Sequence, residues 1–459
     1  MIFGDTNEHL GTAELFVALL AGLIVFLVGL GVIAALSARL LGLARFGVVI
    51  FVVLAAVGAV ITLGFGPFFL ATDGPVYDGQ AASFASHLRD ETSRSSLTDG
   101  KEGWPVLLGV VYFLVGRVPF VGILISCIAV GVSAVFGAGT ARLLWGGFSP
   151  RALYAWYFAT PLIVFLGPSL MREALCWMAI SMIVFGFVAA TRGTIHAIWV
   201  FVIGASVLIA VRTSLAVLIL LAIGVSWLVC SLIAKRKFFM VVLIGVVAAA
   251  FASTFLRTIL AQLGFSEQSL ESNRVYIAVD ATTGFSPSAL QPGVGGFFLT
   301  AAQAFPKVLL GPFPWEIGLA PAWIWVVANS IVWLVMLTMA IRRCILARDR
   351  RWVAVLVVAT GLLVFGMSLS LTNYGIIVRM RGAGLMLLLP LVLGGFYRGN
   401  RTMPAQEAAT STEPIEKPQT APPSPAKARP ISGPSTITTV STYRPNRTRE
   451  NATFDRAAT

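Results

Sequence analysis

Residues 71–105 read ATDGPVYDGQAASFASHLRDETSRSSLTDGKEGWP, and this polar stretch interrupts a chain that is otherwise mostly apolar. The long apolar run 46–65 ends shortly before it. Acidic, basic and aromatic side chains first collect in these residues. We therefore expect the stretch to leave the membrane and to form one wall of an active site at its surface.

Composition indicates a membrane protein. Of the 459 residues, 57% are hydrophobic and 12% are charged, and the mean hydropathy is +0.87. An ordinary soluble domain carries about 25% charged residues. Because uncharged runs of about 20 residues cross the hydrocarbon core as helices, the chain is predicted to be an all-α, polytopic bundle of transmembrane helices.

The apolar runs predict about eleven spans. They are 15–36, 46–65, 120–144, 152–167, 169–190, 195–211, 214–234, 238–255, 323–341, 352–371 and 385–397. The apolar segment 104–116 is too short to cross, so we expect a re-entrant or surface helix there. The alternative is that it lengthens the next span through a kink at Pro119.

Alternating spans place the basic turns on one side of the membrane. These turns contain Arg39, Arg45, Arg142, Arg151, Arg192, Lys235, Arg236, Lys237, the run 342–351, Arg398 and Arg401. The positive-inside rule makes that side cytoplasmic. The N-terminus is then expected to lie outside and the C-terminus inside.

This topology divides the chain into a transmembrane domain, 1–398, and a Pro- and Thr-rich tail, 399–459. Two long loops, 66–119 and 257–322, lie outside, and their aromatic residues and prolines favour packed structure. The tail has too few apolar side chains to offset the entropy of ordering and is predicted to be disordered. The net charge of +13 is expected to face anionic lipid rather than nucleic acid.

Two aspartates in the polar stretch are the candidate catalytic residues. Asp73 and Asp78 lie just beyond the second apolar run, where a carboxylate suits a general base. A simple Asp-Gly-Pro turn is the alternative for Asp73. Tyr77, Lys101 and Trp104 extend the polar stretch, and we expect them to contact substrate.

The start of a middle span carries a second set of candidates. Arg172 and Glu173 follow Pro168-Ser169. Glu173 suits the positive end of a helix dipole, whereas a cation there needs an anionic partner such as a phosphate. Arg212 lies in a predicted tight outer turn, where snorkelling to the interface is the alternative to substrate binding.

Late outer segments supply the remaining candidates. Trp315 and Glu316 end the second outer loop, as an interfacial aromatic belt or as contacts for a sugar acceptor. Asn373, Arg379 and Arg381 precede the last predicted span on the side where basic residues are rare. Because guanidinium groups bind phosphate oxygens in two-point geometry, we expect the two arginines to hold a lipid phosphate or pyrophosphate.

No cofactor is predicted. The four cysteines lie in or beside apolar runs, the three histidines are scattered, and no nucleotide-binding or HExxH motif is present. This pattern offers neither a disulfide framework nor a metal-ligand spacing. We expect a reaction that is driven by an activated lipid-linked donor.

Several short motifs resemble those of bacterial polysaccharide-assembly membrane proteins. They are Asp73 with Tyr77 four residues later, KEGWP at 101–105, PSLMREAL at 168–175, PFPW at 312–315, and NYG at 373–375 followed by RMR at 379–381. Over residues 46–397, the chain is similar to GT-C glycosyltransferases that use polyprenyl-phosphate sugars, and to O-antigen or exopolysaccharide polymerases. The chain departs from the usual GT-C layout in an extra span before the Asp73 loop, and it lacks an Asp-x-Asp pair, which leaves the use of a divalent metal open.

The resemblance implies transfer of a sugar with inversion from a polyprenyl-linked donor to a cell-envelope glycan or a lipid-linked acceptor. Asp73 or Asp78 would take the acceptor proton, while Arg172, Arg379 and Arg381 would hold the phosphate leaving group. A repeat-unit polymerase is one alternative. A transporter or flippase for an anionic lipid-linked substrate is another, although clustering of charge at one face favours an enzyme. A scaffold acting through the Pro-rich tail is a third.

The predicted topology has a direct test. An amine reagent that does not cross membranes, added to intact cells, is expected to modify Lys101 and to leave Lys237 unmodified, because only Lys101 lies outside. Peptide mass spectrometry measures both sites. The reverse labelling pattern would invert the topology and remove the proposed extracytoplasmic site.

Overall fold

Helices dominate the computed structural model, which describes residues 12–69, 73–89, 102–234, 267–278, 281–285, 293–346 and 350–395. Fourteen α-helices and one 3-10 turn, Pro314–Glu316, occupy these ranges. The only extended pairing in the same ranges is an isolated bridge between Gly284 and Asn373. The prediction of an all-α fold is confirmed for the described part of the chain.

The helices follow one another with short connections. They are α1 Thr12–Leu41, α2 Arg45–Phe65, α3 Gly74–Arg89, α4 Gly103–Val115, α5 Pro119–Trp145, α6 Pro150–Ala159, α7 Pro161–Leu166, α8 Glu173–Thr191, α9 Ala197–Ala234, α10 Glu267–Ala278, α11 Gly293–Leu310, α12 Ala322–Leu346, α13 Arg350–Ser368 and α14 Tyr374–Gly395. Helices α5, α8 and α14 are the most enclosed of the long helices. They form the centre of the bundle.

Eight helices in the described residues are long and apolar enough to cross a membrane: α1, α2, α5, α8, α9, α12, α13 and α14. A multi-pass membrane protein is therefore well supported. The count of about eleven spans is not confirmed, partly because the predicted span 238–255 lies outside the described residues. Lys101 and the tail 399–459 also lie outside them.

The predicted span 152–167 is broken into α6 and α7. Pro161 has no N–H to donate, and Thr160 before it adopts an extended conformation. The break exposes the first backbone donor of α7, and Asn329 of α12 accepts from Leu162 N at 2.8 Å. The Asn329 side chain therefore replaces a backbone partner that the break removes.

Helix α9 reverses direction at Arg212, the one residue inside it with non-helical angles. The ring of Phe187 in α8 lies 6.4 Å from Phe201 and 6.4 Å from Trp227. In a straight helix those two residues would stand about 39 Å apart. Two arms therefore pack against α8, as the separate apolar runs 195–211 and 214–234 predicted.

Basic residues collect at one end of the bundle. Arg142 donates to the carbonyl of Leu40 at 3.0 Å, Arg192 donates to the carbonyl of Leu143, and Arg351 binds Ser231 at 2.7 Å. These contacts join the predicted basic turns. Helices α2, α5 and α8 connect that end to the opposite one, so Asp73 and Glu173 lie away from the basic turns.

Both predicted outer loops contain helices. The short helix predicted at 104–116 is present as α4, and it is separate from α5 because the chain turns at Gly116, with φ of 84°. The last helix begins at Tyr374 and not at 385. Asn373 caps it by accepting from Gly375 N at 2.8 Å, and Arg379 and Arg381 therefore belong to helix α14.

Replacement of Asn329 tests the repair of the broken helix. Asn329→Leu leaves the buried Leu162 N–H without an acceptor, and we expect a loss of about 1–3 kcal/mol of stability. Thermal unfolding in detergent measures it. Ile331→Leu, on the exposed side of the same helix, is the matched control and should shift stability by less than about 0.5 kcal/mol. Equal melting temperatures for both variants would contradict the role of Asn329.

Candidate functional site

Asp73 and Arg379 meet at the end of the bundle opposite the basic turns. Asp73 precedes α3, and Arg379 lies near the start of α14. Arg379 NH1 donates to Asp73 Oδ2 at 3.0 Å, and the two side chains are 24% and 49% exposed respectively. The aspartate that was predicted as a base is therefore oriented by an arginine and still accessible to a ligand.

Tyr77 links this pair to the start of α8. Its backbone N–H donates to the Asp73 carbonyl at 3.1 Å, so the two residues are one helical turn apart. The Arg172 guanidinium lies 5.8 Å from the centre of the Tyr77 ring. Burial raises the pKa of Tyr77 to about 12. The ring is therefore neutral at physiological pH and faces the cation with its π system.

Arg172 and Glu173 are buried at the N-terminal end of α8. Arg172 is 6% exposed and Glu173 is 5% exposed. Within the described part of the chain, Arg172 Nε, Arg172 NH1 and Glu173 Oε2 have no hydrogen-bond partner. The nearest counter-charge of Glu173 is Arg212 NH1, 4.0 Å from Oε1. Buried charges without partners are costly, so these atoms mark a place where a ligand is expected.

Local sequence explains why Arg172 is there. Helix α7 ends at Leu166, and residues 167–172 then run as a buried non-helical segment before α8 starts. No side chain caps the N-terminus of α8. The uncapped N–H groups and the helix dipole both favour an anion, and the buried Arg172 adds a full positive charge to that end.

Helix α4 closes over the reversal of α9. A Cβ added at Gly103 would lie 2.5 Å from the Ala210 carbonyl oxygen, so glycine permits this close approach. Trp104 follows, fully buried, and its Nε1 has no hydrogen-bond partner among the described residues. The predicted contact residue Trp104 therefore packs beside the arm that carries Arg212.

We name the connected residues Asp73, Tyr77, Arg172, Glu173, Arg212 and Arg379 the Arg172 cluster. The contacts described above join four elements: the start of α3, the start of α8, the reversal of α9 and helix α14. Three arginines and two carboxylates leave an excess of one positive charge. The cluster is therefore suited to a ligand with negative charge.

Asp78 has a different environment from Asp73. It is fully buried, it accepts from Tyr112 OH at 2.6 Å and from Arg117 Nε at 2.9 Å, and Arg117 NH2 also donates to it. Burial raises the pKa of Tyr112 far above its usual value, and the Asp78 charge raises it further. Both carboxylate oxygens of Asp78 are occupied, so the structure favours Asp73 as the accessible carboxylate.

Arg381 does not join the Arg172 cluster. It is 2% exposed, and it donates to the carbonyls of Val308, Gly311 and Lys307 at 2.9, 2.7 and 3.3 Å and to Ser330 Oγ at 2.9 Å. A cation at the carbonyl end of α11 complements the helix dipole. The structure does not bring Arg379 and Arg381 together at one site, because residues two apart on a helix face different ways.

Glu316 connects the 3-10 turn Pro314–Glu316 to α14. It accepts from Tyr374 OH at 2.5 Å and from Phe313 N at 3.0 Å, and Lys307 Nζ lies 3.1 Å away. Burial alone would raise the pKa of Glu316, but these hydrogen bonds and the Lys307 charge lower it overall. Glu316 therefore has partners within the protein and is not positioned as a direct sugar contact.

Trp315 is presented by the same turn. Its side chain is 80% exposed, and its ring stacks on Phe313 with centroids 5.0 Å apart. Asn373 caps α14 and also accepts from Thr283 Oγ1 at 2.7 Å, which is a structural role. Of the late candidates, Arg379 and Trp315 are the ones that a ligand can reach.

Sequence patterns missed Tyr112, Arg117, Lys307, Ser330 and Asn329 as partners of the polar residues. The sequence signal for Arg117 was a basic residue on the predicted outer side, where basic residues are expected to be rare. In the described ranges, no three His, Cys, Asp or Glu side chains come together in a way that suits a metal ion.

Comparison of the chain with protein-family models, curated proteins and solved structures found no match.

The two aspartates are expected to differ in their effect on stability. Asp78→Asn weakens a buried charge-assisted pair and should lower the free energy of unfolding by about 1–3 kcal/mol. Asp73→Asn removes a half-exposed ion pair and should cost less than about 1 kcal/mol. Thermal unfolding of both variants in one detergent measures the difference. A larger loss for Asp73→Asn would reverse the roles assigned to the two carboxylates.

Proposed function

We propose that this protein is a membrane glycosyltransferase that takes a sugar from a polyprenyl-phosphate or polyprenyl-pyrophosphate donor. The acceptor is a cell-envelope glycan or a lipid-linked glycan, and the reaction takes place on the extracytoplasmic face of a bacterial plasma membrane. The observation that supports this proposal most is the buried guanidinium of Arg172 at the uncapped start of α8, whose Nε and NH1 have no hydrogen-bond partner among the described residues. A lipid phosphate would supply the missing anionic partner.

The position of the Arg172 cluster suits a lipid headgroup. Helix α8 has 19 residues, and such a helix spans about 28 Å, close to the thickness of the hydrocarbon core. Glu173 and Thr191 then lie near opposite boundaries of the core. A phosphate at Arg172 would stand at headgroup level while its hydrocarbon chain stays in the bilayer.

Asp73 is the general base in this proposal. Its carboxylate takes the proton of the acceptor hydroxyl, the acceptor oxygen bonds to the anomeric carbon of the sugar, and the bond between that carbon and the phosphate oxygen breaks. The electron pair of the broken bond stays on the lipid phosphate, which Arg172 and the α8 dipole stabilise. Arg379 orients Asp73 through the 3.0 Å ion pair.

Trp315 is proposed to contact the acceptor. It is exposed, and one face of its ring is covered by Phe313, which leaves the other face for a sugar ring. Glu316 and Tyr374 tie this turn to α14, the helix that also carries Arg379. The acceptor platform and the base are therefore connected through one rigid helix.

A lipid flippase is the second candidate, because α6 and α7 form a discontinuous helix and α9 reverses beside charged residues. Broken helices of this kind line substrate paths in transporters. The Arg172 cluster nevertheless lies at one end of the bundle and not at mid-depth, which favours the enzyme.

Variants of the Arg172 cluster distinguish these functions. In cells that depend on the protein, Asp73→Asn and Arg172→Gln should each reduce the glycan product by at least about 100-fold, in line with the loss of a general base or a charge-stabilising group. The unused lipid-linked donor should accumulate in the outer leaflet. Mass spectrometry of lipid-linked and surface glycans measures both.

Arg39→Ala, at the opposite end of the bundle, is the matched control and should leave both pools unchanged. Accumulation of the donor in the inner leaflet would identify a flippase instead. Unchanged glycans in both variants, at normal protein levels, would exclude the proposed mechanism.

A further inference from the structure

Helix α10 contains a second buried guanidinium, outside the Arg172 cluster. Arg274 is 1% exposed, and its Nε has no hydrogen-bond partner in the described ranges. Its NH1 reaches Glu271 Oε2 only at 3.4 Å, and the Glu271 side chain is 39% exposed. A long contact to a partly hydrated carboxylate compensates a buried cation poorly. Arg274, like Arg172, is therefore a buried cation whose charge is poorly compensated by the described residues.

Hydrogen bonds fix Arg274 beside the start of α14. Thr372 Oγ1 donates to the Arg274 carbonyl at 2.7 Å, and Asn373 Nδ2 donates to the Ile277 carbonyl at 3.5 Å. Arg379 lies only about 7.5 Å along α14 from Tyr374, at 1.5 Å per residue. Arg274 and the Asp73–Arg379 pair are therefore at the same end of the bundle and on neighbouring elements.

No described residue accepts a hydrogen bond from Arg274 Nε. Arg381, which is equally buried, has three backbone carbonyls and Ser330 around its guanidinium. Among the described residues, the Glu271 carboxylate is the side-chain partner of the Arg274 guanidinium, and an incoming anion can replace it. A neutral hydroxyl would satisfy the Nε–H but would leave the charge uncompensated, so the chemistry favours a phosphate or carboxylate oxygen.

We propose that Arg274 is a second anion subsite, distinct from Arg172, that binds an anionic group of the substrate. The identity of that substrate rests on the proposed glycosyltransferase function, whereas the existence of the subsite does not. Two sources supply the same chemistry: the second phosphate of a pyrophosphate-linked donor, or an acidic group on the acceptor glycan.

The test is calorimetric titration of the full-length protein in detergent with inorganic phosphate. The unaltered protein should show two sites. Arg274→Gln and Arg172→Gln should each weaken one of them about 10- to 100-fold, since hydrogen bonds to charged groups contribute that much, and the double variant should lose both. Retention of two sites in Arg274→Gln, or a single site in the unaltered protein, would overturn the subsite.

Glu271→Gln separates ligand binding from a merely structural role for Arg274. Removing the competing carboxylate should tighten phosphate binding at this subsite severalfold, whereas the loss of a structural ion pair would leave the affinity unchanged or weaken it. The latter result would count against the proposal. Glu271→Gln also decides the matter if Arg274→Gln fails to fold.

Inorganic pyrophosphate then identifies the source of the anion. One tight pyrophosphate per protein that engages both arginines assigns Arg274 to the donor, and two independent pyrophosphates assign it to the acceptor. Two phosphate sites in a protein without transferase activity would contradict the proposed function while supporting the subsite. One phosphate site in an active transferase would contradict the subsite while supporting the proposed function.

Discussion

Backbone polar groups in the hydrocarbon core have no water to bind, so each must find a partner inside the protein. This constraint accounts for the all-helical architecture and for the details that interrupt it. Asn329 binds the first N–H of α7 where Pro161 breaks the helix. Arg381 collects the last carbonyls of α11. The same requirement applies to the first N–H groups of α8, where no side chain provides a capping hydrogen bond.

Charge at that end of the bundle divides into two kinds of site. Asp78 with Tyr112 and Arg117, and Glu316 with Tyr374 and Lys307, are carboxylates whose oxygens are taken up by donors of the protein itself. These carboxylates connect α3 to α4, and the 3-10 turn Pro314–Glu316 to α14. The Arg172 cluster is of the second kind, because Arg172 Nε, Arg172 NH1 and Glu173 Oε2 are buried and have no hydrogen-bond partner among the described residues. These are the atoms to which the proposed function assigns an anionic ligand.

Neighbours in sequence serve different purposes for a geometric reason. Arg379 and Arg381 are two residues apart on a helix, so their side chains project about 200° apart around its axis. One meets Asp73 and the other enters the carbonyl end of α11. Asp73 and Asp78 likewise fall on different sides of the first turns of α3, one half-exposed and the other enclosed by α4. Type of residue alone does not distinguish these partners.

Apolar composition by itself determined the class of the protein, since runs such as 46–65 and 120–144 have no soluble alternative, and it located the short helix near 104–116. It also predicted the two arms on either side of Arg212 and the polar stretch at Asp73. Hydropathy placed the last helix too late, at 385, because Arg379 and Arg381 mask a helix start that depends on the Asn373 cap. Only the tertiary structure decided which charges are satisfied. That property depends on partners such as Arg117 for Asp78 or Val308 for Arg381, which lie far away along the chain and meet only when the helices pack.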